Sequence, residues 1–151
     1  MKKVVFLICT LIFTILLAGC SIQKKPLTNN GKLASPLPTG ESTTVTLFSL
    51  INNGKVDEAV NMLGPDLNPD ENSKQAWTNN FSNIKSINLK TIEPWEKDSW
   101  TNSNEVYKTV LEVQLKVGSA AYGWANGKNT KWIEIDKSVS PWKVDNIATG
   151  P

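Results

Sequence analysis

Any chemistry in this 151-residue chain has to be done without histidine, because the sequence contains none. That removes Ser-His-Asp and Cys-His catalysis and histidine-ligated metals in one step. Of the two cysteines, Cys9 lies inside an apolar leader and Cys20 closes it, so the rest of the chain has no thiol, disulfide or thiolate metal site. What survives is carboxylate, lysine and tyrosine chemistry. Tyr107 and Tyr122 could donate hydrogen bonds into a pocket, and a buried Glu112 or Glu134 could act as a base. Glu112 alternates with Leu111 and Val113, which turns it toward water; Glu134 is left open. An enzyme is therefore the weaker reading, with no catalytic residue, metal or cofactor assigned. The unusual feature is six tryptophans. Trp77, Trp132 and Trp142 fall within expected elements and are assigned to the core, where each ring can bury ~150–250 Å². Trp95, Trp100 and Trp124 lie in or beside expected loops, where a ring can stack on a sugar or dock a partner protein. With Tyr122 they are the candidate binding residues, led by the stretch Glu93 to Trp100. The alternative for these rings is structural, capping the fold. On the binding reading, Trp95→Ala and Trp100→Ala leave folding nearly intact.

Cys20 supplies a different kind of chemistry. Lys2 and Lys3 precede fourteen apolar or hydroxyl residues, Val4 to Leu17, and Leu17-Ala18-Gly19-Cys20 follows. A basic start, a short apolar run and a small-residue exit make a secretory signal peptide. The run is shorter than the ~20 apolar residues of a membrane span. Leu-Ala-Gly-Cys in this position resembles the lipobox of bacterial lipoproteins. That resemblance implies a Cys20 diacylated at sulfur, heading the mature chain and holding it on the extracytoplasmic face of the cell membrane. Removing the leader leaves 14 Lys against 14 Asp and Glu. With no basic surplus, a nucleic-acid partner is excluded.

The expected organisation is residues 1–19 as signal peptide, 20–41 as lipidated Cys and linker, and 42–151 as one domain. Pro26, Pro36 and Pro38 among Asn, Gly and Ser mark the linker. Ser42-Thr43-Thr44 offers an N-cap to a helix bearing Val45, Phe48 and Ile51 on one face. Val56, Ala59, Val60 and Leu63 share the face of a second helix, stopped by Gly64-Pro65. Asn72 to Phe81 makes a third. Ile84, Ile87, Leu89 and Ile92 mark a first strand with an irregularity near Ser86, and Glu93 to Asn104 a loop or frayed strand end. Tyr107, Thr109, Leu111, Val113, Leu115 and Val117 alternate against Lys108, Glu112, Gln114 and Lys116, the signature of a half-buried strand. Asn126-Gly127 signals a two-residue hairpin. Residues 130–137 and 141–148 are two more strands joined by a short turn. The class is α+β: N-terminal helices packed on a bent antiparallel sheet of about four strands.

Three short helices, a long strand pair and the closing Trp132…Trp142-Lys143-Val144-Asp145-Asn146-Ile147-Ala148 resemble the nuclear transport factor 2-like (cystatin-like) superfamily. The small secreted and lipoprotein branches of unassigned function are the nearest likeness. Phe81 to Ile87 and Trp124 to Thr130 are similar to that branch. The resemblance implies a sheet wrapped around helices into a cone that can hold a small ligand. Enzymatic members line the cone with Asp, His and Tyr, an acid-base set not matched here. The expected function is a membrane-anchored, non-catalytic binding module. A small-ligand carrier or enzyme using the cone, and a wall-glycan binder using loop tryptophans, are the alternatives. Envelope proteins, wall glycan and a second copy of the chain are the partners this allows.

Overall fold

A computed structural model describes residues 39–151, and the expected leader, Cys20 and the linker up to Pro38 lie outside them. The elements run α1 (Gly40–Asn52), α2 (Val56–Val60), α3 (Glu71–Ser82), β1 (Ile84–Pro94), a 3-10 turn (Lys97–Ser99), β2 (Asn104–Leu115), β3 (Gly127–Asp136) and β4 (Lys143–Ala148). The strands form one antiparallel sheet in the order β1-β2-β3-β4. The class is α+β, as the sequence implies.

Helix α1 begins earlier than the Ser42-Thr43-Thr44 cap predicts. Thr39 is the N-cap: its hydroxyl accepts from Ser42 N at 3.0 Å, and Ser42 Oγ accepts from Thr39 N at 2.9 Å. This reciprocal pair satisfies two backbone donors that the first turn would otherwise leave open. The predicted apolar face is rotated as well. Thr44, Leu47, Phe48 and Ile51 face the sheet, whereas Val45 is 43% exposed. Leu47, skipped in the sequence reading, sets the centre of the stripe. Thr44 is tolerated inside because its hydroxyl donates to Gly40 O at 2.9 Å.

Helix α2 stops at Val60, short of the expected Leu63, because residues 62–64 turn to run along β4. Val144 N donates to Met62 O at 2.9 Å and Gly64 N to Val144 O at 2.7 Å. The free edge of β4 is thereby partly covered, which protects it against pairing with another chain. Gly64 has to be glycine for this approach, since a Cβ there would run into the Asp145 carboxylate. Asp145 sits at an irregularity of the β3–β4 ladder; burial first, and then the neighbouring Asp66, raise its carboxyl above the usual range.

Asp70 caps α3 by accepting from Ser73 N at 2.7 Å, and that bond holds its carboxyl below the usual carboxylate range. In β1 the irregularity expected near Ser86 is present, between Ile84 and Ser86, with a second between Leu89 and Thr91. Such bulges bend a strand and increase its twist. Strand β1 runs on through Pro94, past the expected loop start at Glu93. Tyr107, Thr109, Leu111 and Val113 of β2 all point to the core, as their alternation predicts; Val117 lies past the strand and is exposed. The Asn126-Gly127 hairpin does not form. Residues 116–126 make a long connection, and Asn126 closes it by accepting from Leu115 N at 2.7 Å. Gly127, at φ +90°, supplies the left-handed step into β3.

The core lies between α1 and one face of the sheet, built from Leu47, Phe48, Ile51, Ile87, Leu111, Val113, Ile133, Ile135 and Val144. Among the described residues no helix is long and apolar enough to cross a membrane.

Candidate functional site

Pairing with β2 fixes which side of β3 faces inward. Lys131 lies opposite Thr109, Ile133 opposite Tyr107, and Ile135 opposite Glu105, all on the face that packs on α1. Strand alternation then puts Trp132 and Glu134 on the outer face. Where β3 and β4 meet residues 116–126, the inner face opens into a cavity of about 600 Å³. Leu67, Trp77 from α3, the Tyr122-Gly123-Trp124 segment, Lys131, and Ile147 to Gly150 form its walls. An adjoining cavity of about 460 Å³ shares Leu67, Trp77 and Tyr122 with it. Both volumes fall within the ~300–1,000 Å³ of small-molecule sites.

Side-chain amides hold the lining in place. Asn80 Nδ2 donates to Tyr122 O at 3.1 Å and Asn83 Nδ2 to Ala120 O at 2.7 Å, tying the 116–126 segment to the end of α3. Trp77 Nε1 donates to Leu67 O at 2.8 Å, fixing the opposite rim. Trp124 is buried at 8% exposure and meets Phe48 edge-on at 6.4 Å, so one ring is both core and cavity wall. Tyr122, by contrast, is 93% exposed and sits on the rim.

Lys131 is the chemically distinctive group. It is 2% exposed, and its ammonium donates to Gly123 O and lies 4.7 Å from the centre of the Trp124 ring. No carboxylate of the described residues comes within ion-pair distance. Burial pushes the amine below its usual range, since removing an ammonium from water disfavours its charged form. Sequence reading missed this residue, although a signal was there: Lys131, Ile133 and Ile135 share one parity, and two isoleucines outvote one tryptophan.

The predicted binding residues divide. Tyr122 and Trp124 come together at the cavity, while Trp95 and Trp100 stand apart from it on the β1–β2 connection. Trp95 N donates to Val106 O, extending the β1–β2 pairing, and its ring meets Trp132 edge-on at 5.7 Å. Lys108 Nζ lies 5.4 Å from the centre of the Trp95 ring. Trp132, assigned to the core from sequence, belongs instead to this outer-face pair, with its Nε1 buried and unpartnered. Trp77 and Trp142 are partly buried against the core, as expected.

Trp100 is built into the fold. Its Nε1 donates to Trp95 O at 2.9 Å, its ring tilts against Tyr107 at 5.3 Å, and it packs on the core. Trp100→Ala is therefore expected to cost about 2–4 kcal/mol, near the lower end for buried aromatic truncation, against about 1 kcal/mol for Trp95→Ala. Urea unfolding of the two variants checks this; equal, small losses would return Trp100 to the loop surface.

The acid-base candidates lie elsewhere. Glu112 is exposed, and outer-face Glu134 accepts from Asn104 Nδ2 at 2.8 Å. Tyr107 donates to Glu105 at 2.8 Å, and Glu105 pairs with Lys137 at 3.0 Å. Burial, then that hydrogen bond, pushes the Tyr107 phenol well above its usual range. Lys131 and Tyr122 are the titratable side chains of the cavity wall. Among the described residues no cluster of three or more acidic, His or Cys side chains could hold a metal. Compared with known proteins, the chain matches no family model and no curated relative.

Proposed function

We propose that this is a lipid-anchored binding module on the extracytoplasmic face of the membrane, which takes a small ligand into its inner cavity without transforming it. The observation that carries the reading is the cavity of about 600 Å³ with a buried lysine in its wall. Apolar walls with a few convergent polar groups are the ordinary make-up of a ligand site. Three helices on a four-stranded antiparallel sheet with bulges also support the nuclear transport factor 2-like cone, whose interior is where such a ligand would sit. The leader and Leu17-Ala18-Gly19-Cys20 support the anchor.

A ligand selective for the folded state stabilises it in proportion to RT ln(1 + [L]/Kd). At a hundred times Kd that is about 2.7 kcal/mol, roughly ten degrees in Tm for a domain of this size. Screening water-soluble amphipathic molecules by thermal shift is expected to find such a rise, with a matching change in tryptophan fluorescence because Trp77 and Trp124 line the cavity. No shift across a broad panel would sink the reading.

A second reading, docking of an envelope protein or wall glycan, is favoured by one observation on the outer face. Trp95 and Trp132 form a half-buried aromatic pair whose Trp132 Nε1 lacks a partner. On that reading wall fragments quench tryptophan fluorescence, and Trp95→Ala abolishes the quenching.

A further inference from the structure

We propose that Lys131 is the anchor for a negatively charged group, so that the cavity selects a small amphipathic monocarboxylate. The inference rests on the cavity being a ligand site. An ammonium has three donors, and among the described residues Lys131 spends one, on Gly123 O. Its head lies between Gly123 and Trp124, both of which line the cavity.

A lysine usually runs its stem along apolar surface and keeps its charge in water. Lys131 is buried instead, on a strand position flanked on the inner face by Ile133 and Thr109, with no acid in reach. An uncompensated buried charge is strongly unfavourable, and removal of one partner from a buried pair is among the costlier changes a protein can suffer. A carboxylate entering the cavity would supply the missing partner, and a charge-assisted hydrogen bond is roughly twice as strong as a neutral one.

The count of charges sets the ligand class. One ammonium matches one negative charge; a phosphate dianion would bury an excess charge with no guanidinium fork to receive it, because the chain has no arginine. Leu67, Trp77, Trp124 and Ile147 give the rest of the wall an apolar stretch that suits an aryl or alkyl body, with Tyr122 and Thr149 as its polar members.

The test compares 4-phenylbutyrate with 4-phenylbutan-1-ol, which share a body and differ in the charged end. Binding is read from tryptophan fluorescence of the full chain in dodecyl maltoside micelles, with partition into empty micelles subtracted. The wild type is expected to prefer the acid by at least about tenfold, the value of a charge-assisted over a neutral contact. Lys131→Met should erase that preference and leave alcohol binding in place, while Lys131→Arg keeps a part of it. Tm of Lys131→Met without ligand should not fall, since an apolar chain of similar length replaces a buried charge. Equal binding of acid and alcohol to the wild type overturns the role of Lys131 and leaves the cavity reading standing. No binding of either probe overturns the monocarboxylate proposal, and the broad thermal-shift panel then decides the cavity reading. Should Lys131→Met fail to fold, the wild-type ratio decides alone: tenfold supports the proposal, unity ends it.

Discussion

Phe48→Ala is expected to remove about 3–5 kcal/mol of stability, the range for truncating a buried aromatic ring. Phe48 is 2% exposed and belongs to the α1 stripe with Leu47 and Ile51, in the core between α1 and the sheet. The loss is large relative to the whole, because a domain typically has only ~5–15 kcal/mol to lose. No cysteine lies in residues 39–151, so no disulfide offsets it. The same ring abuts Trp124 edge-on at 6.4 Å, and Trp124 is a wall of the cavity. The variant should therefore lose ligand binding along with stability, even under conditions where it remains folded. Urea unfolding at constant m-value measures the first effect, and titration of a bound probe the second. Phe48→Leu, which keeps most of the volume, should cost under about 1.5 kcal/mol. A loss below 1 kcal/mol for Phe48→Ala would mean that α1 is not seated on the sheet.

How much of this could be read from the sequence follows from what periodicity encodes. Strand β2 was legible because Tyr107, Thr109, Leu111 and Val113 share one parity, opposite Lys108, Glu112 and Gln114 on the other. Period two reveals that a strand has two faces; it names the inner one only when a single face is apolar. In β3 both faces carry large apolar side chains, Trp132 on one and Ile133 with Ile135 on the other. Size alone points to Trp132 as core, and against it only parity marks the lysine that shares a face with the isoleucines as buried with them. Trp124 stands in a loop and at the cavity, where its sequence context puts a candidate binding residue, but its burial at 8% exposure has no local signal. It belongs to an irregular connection, yet Asn80 and Asn83 pull that connection onto the fold through bonds 42 and 37 residues apart. No local pattern encodes contacts of that separation. Asn126-Gly127 failed as a hairpin because the β2–β3 register pairs Val113 with Gly127, placing the whole 116–126 segment outside the ladder. The cavity is made by these long-range ties, so the fold class was legible, while of the cavity wall only Tyr122 and Trp124 were.

Cys20→Ala is the variant with the most complete expected effect, total loss of acyl label from the chain. The reasoning is energetic. A single acyl chain gives only marginal and reversible binding, with an association constant of about 10⁴ M⁻¹, and stable anchoring takes a second hydrophobic element. The diacylglyceryl group proposed for Cys20 would carry two chains at one atom. Within residues 39–151 no helix can substitute for them, and the mature chain has no net positive charge to bind anionic lipid. On the proposed reading, the membrane attachment of the domain would depend on one sulfur. Growth with a labelled fatty acid should tag the wild type, and the tag should be absent from Cys20→Ala. The variant should also accumulate as a larger, unprocessed precursor, because cleavage ahead of Cys20 would follow acylation. Its leader, with fourteen residues from Val4 to Leu17, is shorter than the ~20 that span a bilayer, so the membrane-bound fraction should fall. Cys9→Ala is the matched control and should change none of these. An unchanged label in Cys20→Ala would refute the anchor while leaving the cavity and Lys131 untouched, because their tests read ligand binding and do not depend on an acyl group. The two halves of the proposed function, where the protein is held and what it holds, can therefore fail separately.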